Sequence, residues 1–413
     1  MHLTIVSCVF PPEPIVSAQT SAQISQKMAG LGHHVKVLAP FPSRPIRQAY
    51  PQYKRGFLQR EICPHGYKII RCFSLFSSAS SLLSRFLENI SFGLSVFLVL
   101  LFSARADIVY GNTWPIFSQG LLMLACKLRR IPLVLSVQDL YPESLLVQKR
   151  GFEKTSLSYA LLHWLDALIT RNCAGLILIS EQFRETYIHD RHILENKITV
   201  IPNWIDDSQT NKTSAREDIR KKHAIPADAF LTLYGGNIGA AAGVETLIEA
   251  YRYLEKNYYL LIAGSGSHLH VCQKFGAEVS PERIKFYSPW PVEQTFQTYQ
   301  VGDVLVLPTF GNQSLASLPS KILGYMLAAK PIIALAHPES ELAKLIILSG
   351  CGWVIAPEES KKLADKIEQV SNMNVAERNA YGRSGHNYLQ KYMTADVCLP
   401  KVCNVLENAA QVL

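Results

Sequence analysis

Four glycines crowd one short span of this chain: Gly235, Gly236, Gly239 and Gly243, within LTLYGGNIGAAAGVETLIEAY (231–251). Glycine lets the backbone take positive φ and lets a ligand come close. The span reads as strand, turn and helix, with Val244, Leu247, Ile248, Tyr251 and Leu254 on one apolar helix face. Unpaired amides at the start of such a helix attract anions, which makes a phosphate or diphosphate the default ligand. A turn that only lets helix pack on sheet fits this stretch equally well. The span contains no G-x-x-x-x-G-K-[ST] and no G-x-G-x-x-G, which argues against a nucleoside triphosphatase loop and a dinucleotide fingerprint.

Charge and cysteine chemistry narrow the classes further. The net charge is +8, and much of the excess lies between Phe41 and Arg71. That segment holds Arg44, Arg47, Lys54, Arg55, Arg60, Lys68 and Arg71 against one acid, Glu61. Such a cluster suits an anionic partner: lipid head groups, a pyrophosphate-linked acceptor or nucleic acid. No nucleic-acid motif accompanies it. Nine cysteines are scattered without C-x-x-C or zinc spacing, which fits reduced thiols in a cytoplasmic protein. The opening MHLTIVSCVFPPEP reads as a first strand, not a signal peptide. The most apolar run, Ile90 to Phe102, has 13 residues and is too short to span a bilayer. It reads as a buried helix, or as one that dips into the membrane interface.

The elements that must carry these residues alternate throughout. With 413 residues, two domains are the natural division. LTIVSCVF, HVKVLA, YKIIRCF, DIVYGN, PLVLSV, GLILIS and KITVIPN read as strands with helices between them. The first helix is expected from Ser17, as N-cap, to Gly32. After a polar stretch the alternation restarts with FLTLYGG, YLLIAGSG, RIKFYSP, DVLVLP, KPIIALA and CGWVIAP. Short apolar strands between helices predict two doubly wound, Rossmann-like parallel sheets facing across a cleft. The expected domains are 1–202 and 203–390, with a C-terminal helix over 391–413 that returns to the first domain. Glycine- and proline-rich loops follow the strand ends, where such sheets bind ligands.

Read in order, these segments resemble one family. FPPEP, GHHVKVLAP, VQDLYPES, VIPNWID, YGGNIGAAAGVETLIEA, LLIAGSG and LPSKILGYMLAAKPIIA are similar to family-four glycosyltransferases of the GT-B fold, in particular the bacterial polysaccharide, O-antigen and colanic-acid group. The likeness covers nearly the whole chain. It implies sugar transfer from a nucleotide diphosphate sugar to a glycan or lipid-linked acceptor. The resemblance also implies retention of configuration and no metal or cofactor, and the chain has no D-x-D pair of the metal-chelating kind. The first domain would bind the acceptor and the second the donor. Gly235, Gly236, Asn237, Gly239 and Gly264 would then line the donor diphosphate.

The sequence departs from the family where charge is expected. The places of the usual arginine and lysine fall in Asn237 to Ala242 and are not basic, leaving Lys321 as the cation and Ser320 as a helix cap and phosphate donor. The paired glutamates, the second of which usually holds the ribose, align with Ala316 and Gly324. Glu341 could supply a carboxylate or serve as a first-turn helix acid. Asp139 is the first candidate to activate or position the acceptor hydroxyl, and Glu143 the second. Asn112, Arg44 and Arg47 are acceptor candidates. Peripheral contact with an anionic membrane at the inner face of the plasma membrane follows from the basic segment and the apolar helix. Two alternatives stand beside the transferase: a weakly catalytic relative that binds a nucleotide sugar or partner enzyme, and a nucleotide-sugar epimerase of the same fold.

Overall fold

A computed structural model describes residues 1–13, 15–43, 50–53, 56–75, 82–112, 115–148, 153–207, 216–316 and 318–411. The chain divides into two units: Met1–Pro142, Gly151–Asn203 and Asp396–Leu413 form the first, and Glu143–Arg150 with Trp204–Ala395 the second.

The first unit is built on strands β1 (His2–Ser7), β2 (His34–Pro40), β3 (Leu58–Ile62), β4 (Lys68–Cys72), β5 (Ile108–Asn112), β6 (Leu133–Val137), β7 (Gly175–Leu178) and β8 (Ile198–Val200). Their order in the sheet is β3-β4-β2-β1-β5-β6-β7-β8. All pairings are parallel except β3 with β4. Helices α1 (Val16–Gly30), α2 (Leu82–Phe102), α3 (Ile116–Arg129), α5 (Leu157–Arg171) and α6 (Glu181–His189) connect them, and the short α4 (Glu143–Gln148) falls in the second unit. The second sheet holds β9 (Phe230–Gly235), β10 (Tyr258–Ala263), β11 (Ile284–Tyr287), β12 (Val304–Pro308), β13 (Ile332–Leu335) and β14 (Gly352–Ile355), all parallel, in the order β11-β10-β9-β12-β13-β14. Its helices are α7 (Arg216–Lys222), α8 (Val244–Ala250), α9 (Leu269–Val279), α10 (Thr295–Val301), α11 (Gln313–Ala316), α12 (Lys321–Leu327), α13 (Glu341–Ser349), α14 (Ser360–Asn372) and α15 (Val375–Tyr392). The last helix, α16 (Ala395–Gln411), belongs with the first unit, where Glu407 reaches His33 at 3.0 Å.

The apolar runs make central strands. Every residue of β5, β6 and β12 is buried, as a sheet covered on both faces requires. The predicted apolar face after the glycine turn is real: Val244, Leu247, Ile248, Tyr251 and Leu254 are all buried, although α8 itself stops at Ala250. Each such side chain contributes about 1.5–3 kcal/mol when fully buried. Strand order reverses between β1 and β5 in one sheet and between β9 and β12 in the other. Those reversal points are where open α/β sheets leave a crevice at the strand ends. The glycine turn follows β9 and therefore stands at one of them.

Two local expectations are corrected. Helix α1 begins at Val16, its N-cap is Ile15 without a side-chain bond, and Ser17 lies inside the first turn. Arg71 is buried and is no surface cation. Its guanidinium donates to the Glu61 carboxylate (3.1 Å) and to the backbone oxygens of Pro11 (2.5 Å) and Pro40 (3.4 Å). It thereby ties the proline-rich loop after β1 to the ends of β2 and β3.

A second buried guanidinium does the same for the loop after β6. Arg191 donates to Asp166 (3.1 Å) and to the carbonyl of Tyr141 (3.0 Å), and the Tyr187 hydroxyl donates to the same Asp166 carboxylate (3.3 Å). Removing one partner of a buried ion pair leaves the other charge uncompensated, at a cost of about 3–5 kcal/mol. Arg191→Met is expected to lower unfolding stability by about that amount in a urea titration. An unchanged midpoint would show that the pair does not hold this loop.

Candidate functional site

The candidate donor site is assembled from two glycine turns of the second unit. The chain leaves β9 at Gly235 and folds through Gly239 into a 3-10 turn, Ala240–Ala242, before α8 begins. The helix amides therefore start farther from the turn than the sequence suggests. Gly236 has φ +146° and donates to the carbonyl of Ala263 (2.8 Å). Ile238 donates to the carbonyl of Ser265 (2.9 Å), and His268 donates back to Ile238 (3.0 Å). A Cβ at Gly264 would overlap the Gly236 carbonyl oxygen. The turns after β9 and β10 thus lie backbone against backbone, at a distance only glycine permits.

Lys321 closes over this turn from the start of α12. Its methylene stem covers Gly236, where any Cβ would overlap the lysine Cε. Its ammonium sits 4.5 Å from the Tyr234 ring centroid and donates to the Tyr234 hydroxyl and to the carbonyl of Asn237 (3.4 Å). The Tyr234 hydroxyl in turn donates to that same carbonyl (2.6 Å). Burial pushes the Lys321 pKa down to about 8. No carboxylate among the described residues pairs with it. The structure therefore brings together Gly235, Gly236, Asn237, Gly239, Gly264 and Lys321.

Three further aromatics fix the turn. The Gly235 amide donates to the Tyr325 hydroxyl (2.9 Å), and the Tyr299 hydroxyl donates to the Gly235 carbonyl (3.4 Å). Trp290 lies against Tyr299 at 5.7 Å between centroids and donates its indole N–H to Thr298 (3.1 Å). A Cβ at Gly324 would stand 2.8 Å from Cε2 of Tyr299. A side chain at 324 has no room while that ring is in place. Ala316 closes the short helix α11.

The remaining donor candidates are placed differently. Ser320 stands at the N-cap position of α12 in helical conformation and makes no side-chain cap bond, contrary to expectation. Its side chain is exposed. Glu341 is a first-turn acid of α13 and pairs with Lys344 (3.0 Å). Among the described residues no three His, Cys, Asp or Glu side chains are grouped to hold a metal ion.

In the first unit, Asp139 follows β6 at the loop that Arg191 holds through Tyr141. It is half-buried, and burial raises its pKa above the usual carboxylate value. Glu143 opens α4. Asn112 ends β5 and is buried; its amide nitrogen donates to the carbonyl of Ser17 (3.0 Å) and to the Ser21 hydroxyl (2.8 Å), tying β5 to α1. Arg44 and Arg47 lie outside the described residues. Sequence reasoning missed Tyr234, Tyr299, Tyr325 and Trp290 on one side and Arg191 on the other, and it took Arg71 only as one of a basic cluster. None of them stands in a glycine-rich motif except Tyr234, whose place next to Gly235 was a usable signal.

Comparison with known proteins bears on the fold and the family. Residues 18–209 match the model of Glycosyltransferase Family 4, and residues 215–388 match that of Glycosyl transferases group 1. The Pseudomonas aeruginosa protein WbjE, named as a glycosyltransferase, is 27% identical over 318 residues, 75% of this chain and 77% of the relative. The Escherichia coli K12 protein WcaI, named for glycosyl transfer in colanic acid biosynthesis, is 23% identical over 377 residues, covering 90% and 92%. A crystal structure of Anabaena HepE in complex with UDP-glucose superposes with a TM-score of 0.73 at 15% identity, over 99% of this chain and 100% of that one. Two matched domain models in sequence, on two parallel α/β sheets, place the chain in the family-four glycosyltransferases of the GT-B fold.

Proposed function

We propose that this glycosyltransferase moves a sugar from a nucleotide diphosphate sugar to a lipid-linked glycan acceptor in cell-surface polysaccharide biosynthesis. The observation that carries the donor reading is Lys321: an ammonium that no carboxylate among the described residues pairs, laid over a glycine turn at the reversal point of a parallel sheet. The relatives' names support the polysaccharide context, and the UDP-glucose complex of a structural neighbour supports a nucleotide-sugar donor.

In this reading the donor diphosphate lies against the turn 235–239. Lys321 and the turn amides stabilise charge on the leaving diphosphate, where it builds up in the transition state. Ser320 donates a further hydrogen bond. Positive charge from the protein takes the part a metal plays elsewhere, so transfer is metal-independent. Transfer proceeds with retention: the donor phosphate receives the acceptor's proton, and Asp139 orients the acceptor hydroxyl. The enzyme works on the cytoplasmic side, in peripheral contact with an anionic membrane.

The test is nucleotide release over a panel of UDP-, GDP- and dTDP-sugars, with and without a lipid-linked acceptor extract. Release that needs one donor and the extract supports the reading; donor binding without release under any acceptor favours a binding-only protein.

Lys321 makes the donor site pH-sensitive. Its charged form binds the diphosphate, and half of it is lost at a pH of about 8 in the free protein. UDP affinity is therefore expected to fall as pH rises through 8. Lys321→Arg keeps the charge throughout and removes that fall. Lys321→Ala weakens UDP binding by about 1.5–3 kcal/mol, roughly 10- to 100-fold, by calorimetry. Wild-type affinity in the alanine variant would take Lys321 out of the site.

Asp139→Asn is expected to lower turnover by roughly 100-fold or more while leaving UDP affinity unchanged. Full turnover in that variant would remove Asp139 from the reaction.

A further inference from the structure

One face of the first unit's sheet presents apolar side chains to solvent. Helices α2, α3 and α5 lie side by side on it. On α2, Leu94, Leu98 and Phe102 recur every fourth residue and are exposed, Phe102 to 84%. On α3, Leu124 and Leu128 repeat that spacing. On α5, Leu157, Leu161 and Trp164 do so at i, i+4 and i+7, with Leu157 86% and Trp164 58% exposed. Such spacings put each set on one stripe of its helix. The inward stripes are separate: Phe92, Val96 and Leu100 of α2, and Leu122, Ala125 and Cys126 of α3, are buried. These helices are apolar on two sides, and only one is covered by the sheet.

The face continues onto the sheet edge. Register pairs Lys36 with Lys68 and Lys68 with Ile62, and residues so paired share a side. Lys36 donates to Ser103, just past the end of α2 (3.1 Å), so this is the α2 side. Leu58 and Ile62 of β3 stand there exposed, with Arg60 between them and Lys68 opposite Ile62.

Charge selects what can cover this face. The three helices contain two acids, Glu88 and Asp166, and neither is fully exposed; Asp166 is buried against Arg191. Exposed bases flank the leucines: Arg60 and Lys68 at the edge, Lys127, Arg130 and Arg171 at the helix ends. In a two-fold dimer an interface meets its own copy, so this basic rim would face itself. A bilayer with anionic head groups satisfies both features, taking leucines among the acyl chains and bases among the phosphates. An exposed tryptophan suits that boundary. Among the described residues no helix is long and apolar enough to cross a membrane.

We propose that the α2–α3–α5 face, extended by β3, docks onto an anionic lipid bilayer with the three helices lying flat in the interface. This deepens the membrane contact proposed above and rests on that reading. The test floats the full chain with phosphatidylcholine vesicles, with and without phosphatidylglycerol, and measures UDP affinity on the same samples. The chain is expected to float with the anionic vesicles. Leu98→Glu/Leu128→Glu/Leu161→Glu, all at exposed positions, lowers that binding about tenfold or more at unchanged UDP affinity. Leu348→Glu, exposed on α13 of the second unit, leaves it unchanged.

Three results overturn the proposal: a wild type that does not float with anionic vesicles; a triple variant that floats like wild type, with Arg44→Gln/Arg47→Gln alone abolishing binding; or a wild-type dimer in ultracentrifugation that the triple variant dissolves while vesicle binding persists. Loss of UDP binding with intact flotation would instead count against the donor reading alone.

Discussion

Gly236 has no side chain, and the packing of the candidate donor site depends on that. The stem of Lys321 occupies the space a Cβ would need. Laid there, the ammonium gives up part of its water and receives a hydroxyl, one carbonyl and the face of a tyrosine ring in exchange. Those partners compensate only in part, because none carries a negative charge. The lowered pKa is the measure of that shortfall. An anion arriving at the turn would supply what burial removed, and at no cost in breaking an existing ion pair. A lysine already matched with a carboxylate would first have to give it up.

The buried arginines of the first unit follow the opposite logic. Arg71 and Arg191 are each paired with an acid and each bonded to loop carbonyls. A guanidinium presents a rigid fork of donors and can satisfy several acceptors at once. Their charge is spent on holding loops. Asp139 profits from this indirectly: Arg191 grips the backbone two residues away, while the Asp139 carboxylate makes no side-chain bond or ion pair among the described residues. The chain thus separates two cations paired with acids from one that no carboxylate among the described residues pairs.

Much of the fold was legible because parallel sheets covered on both faces leave continuous apolar runs, and β5, β6 and β12 read as such directly. The glycine turn was legible for the same local reason. What escaped notice was set by distant partners. Strand β3, LQREI, has one exposed face and lies at an edge, so its residues carry no apolar run. Arg71 looked like one more member of a basic cluster, and only the sheet register places it beneath the proline loop. Ser320 carried a cap signal, yet its backbone is already helical and its side chain makes no cap bond. No local pattern announces that Tyr299 and Tyr325 would clamp one glycine far away in sequence.

Gly324 has a steric partner that a residue lost by decay would not need. The family places a carboxylate there, and its loss raises the reading of a degenerate, binding-only protein. A decayed site would leave a void or an orphaned polar group. Here the Tyr299 ring is wedged between two glycines: a Cβ on Gly235 would overlap its Cε1, and one on Gly324 would press on its Cε2. The same ring bonds the Gly235 carbonyl and packs edge-on against Tyr325 at 4.9 Å. Tyrosine and glycines form one packed unit, in which restoring a side chain at 324 would displace the ring that sets the donor turn. The carboxylate and this arrangement exclude each other sterically. With Tyr299 in place, the turn, Gly236 and Lys321 keep the packing described above without a side chain at 324.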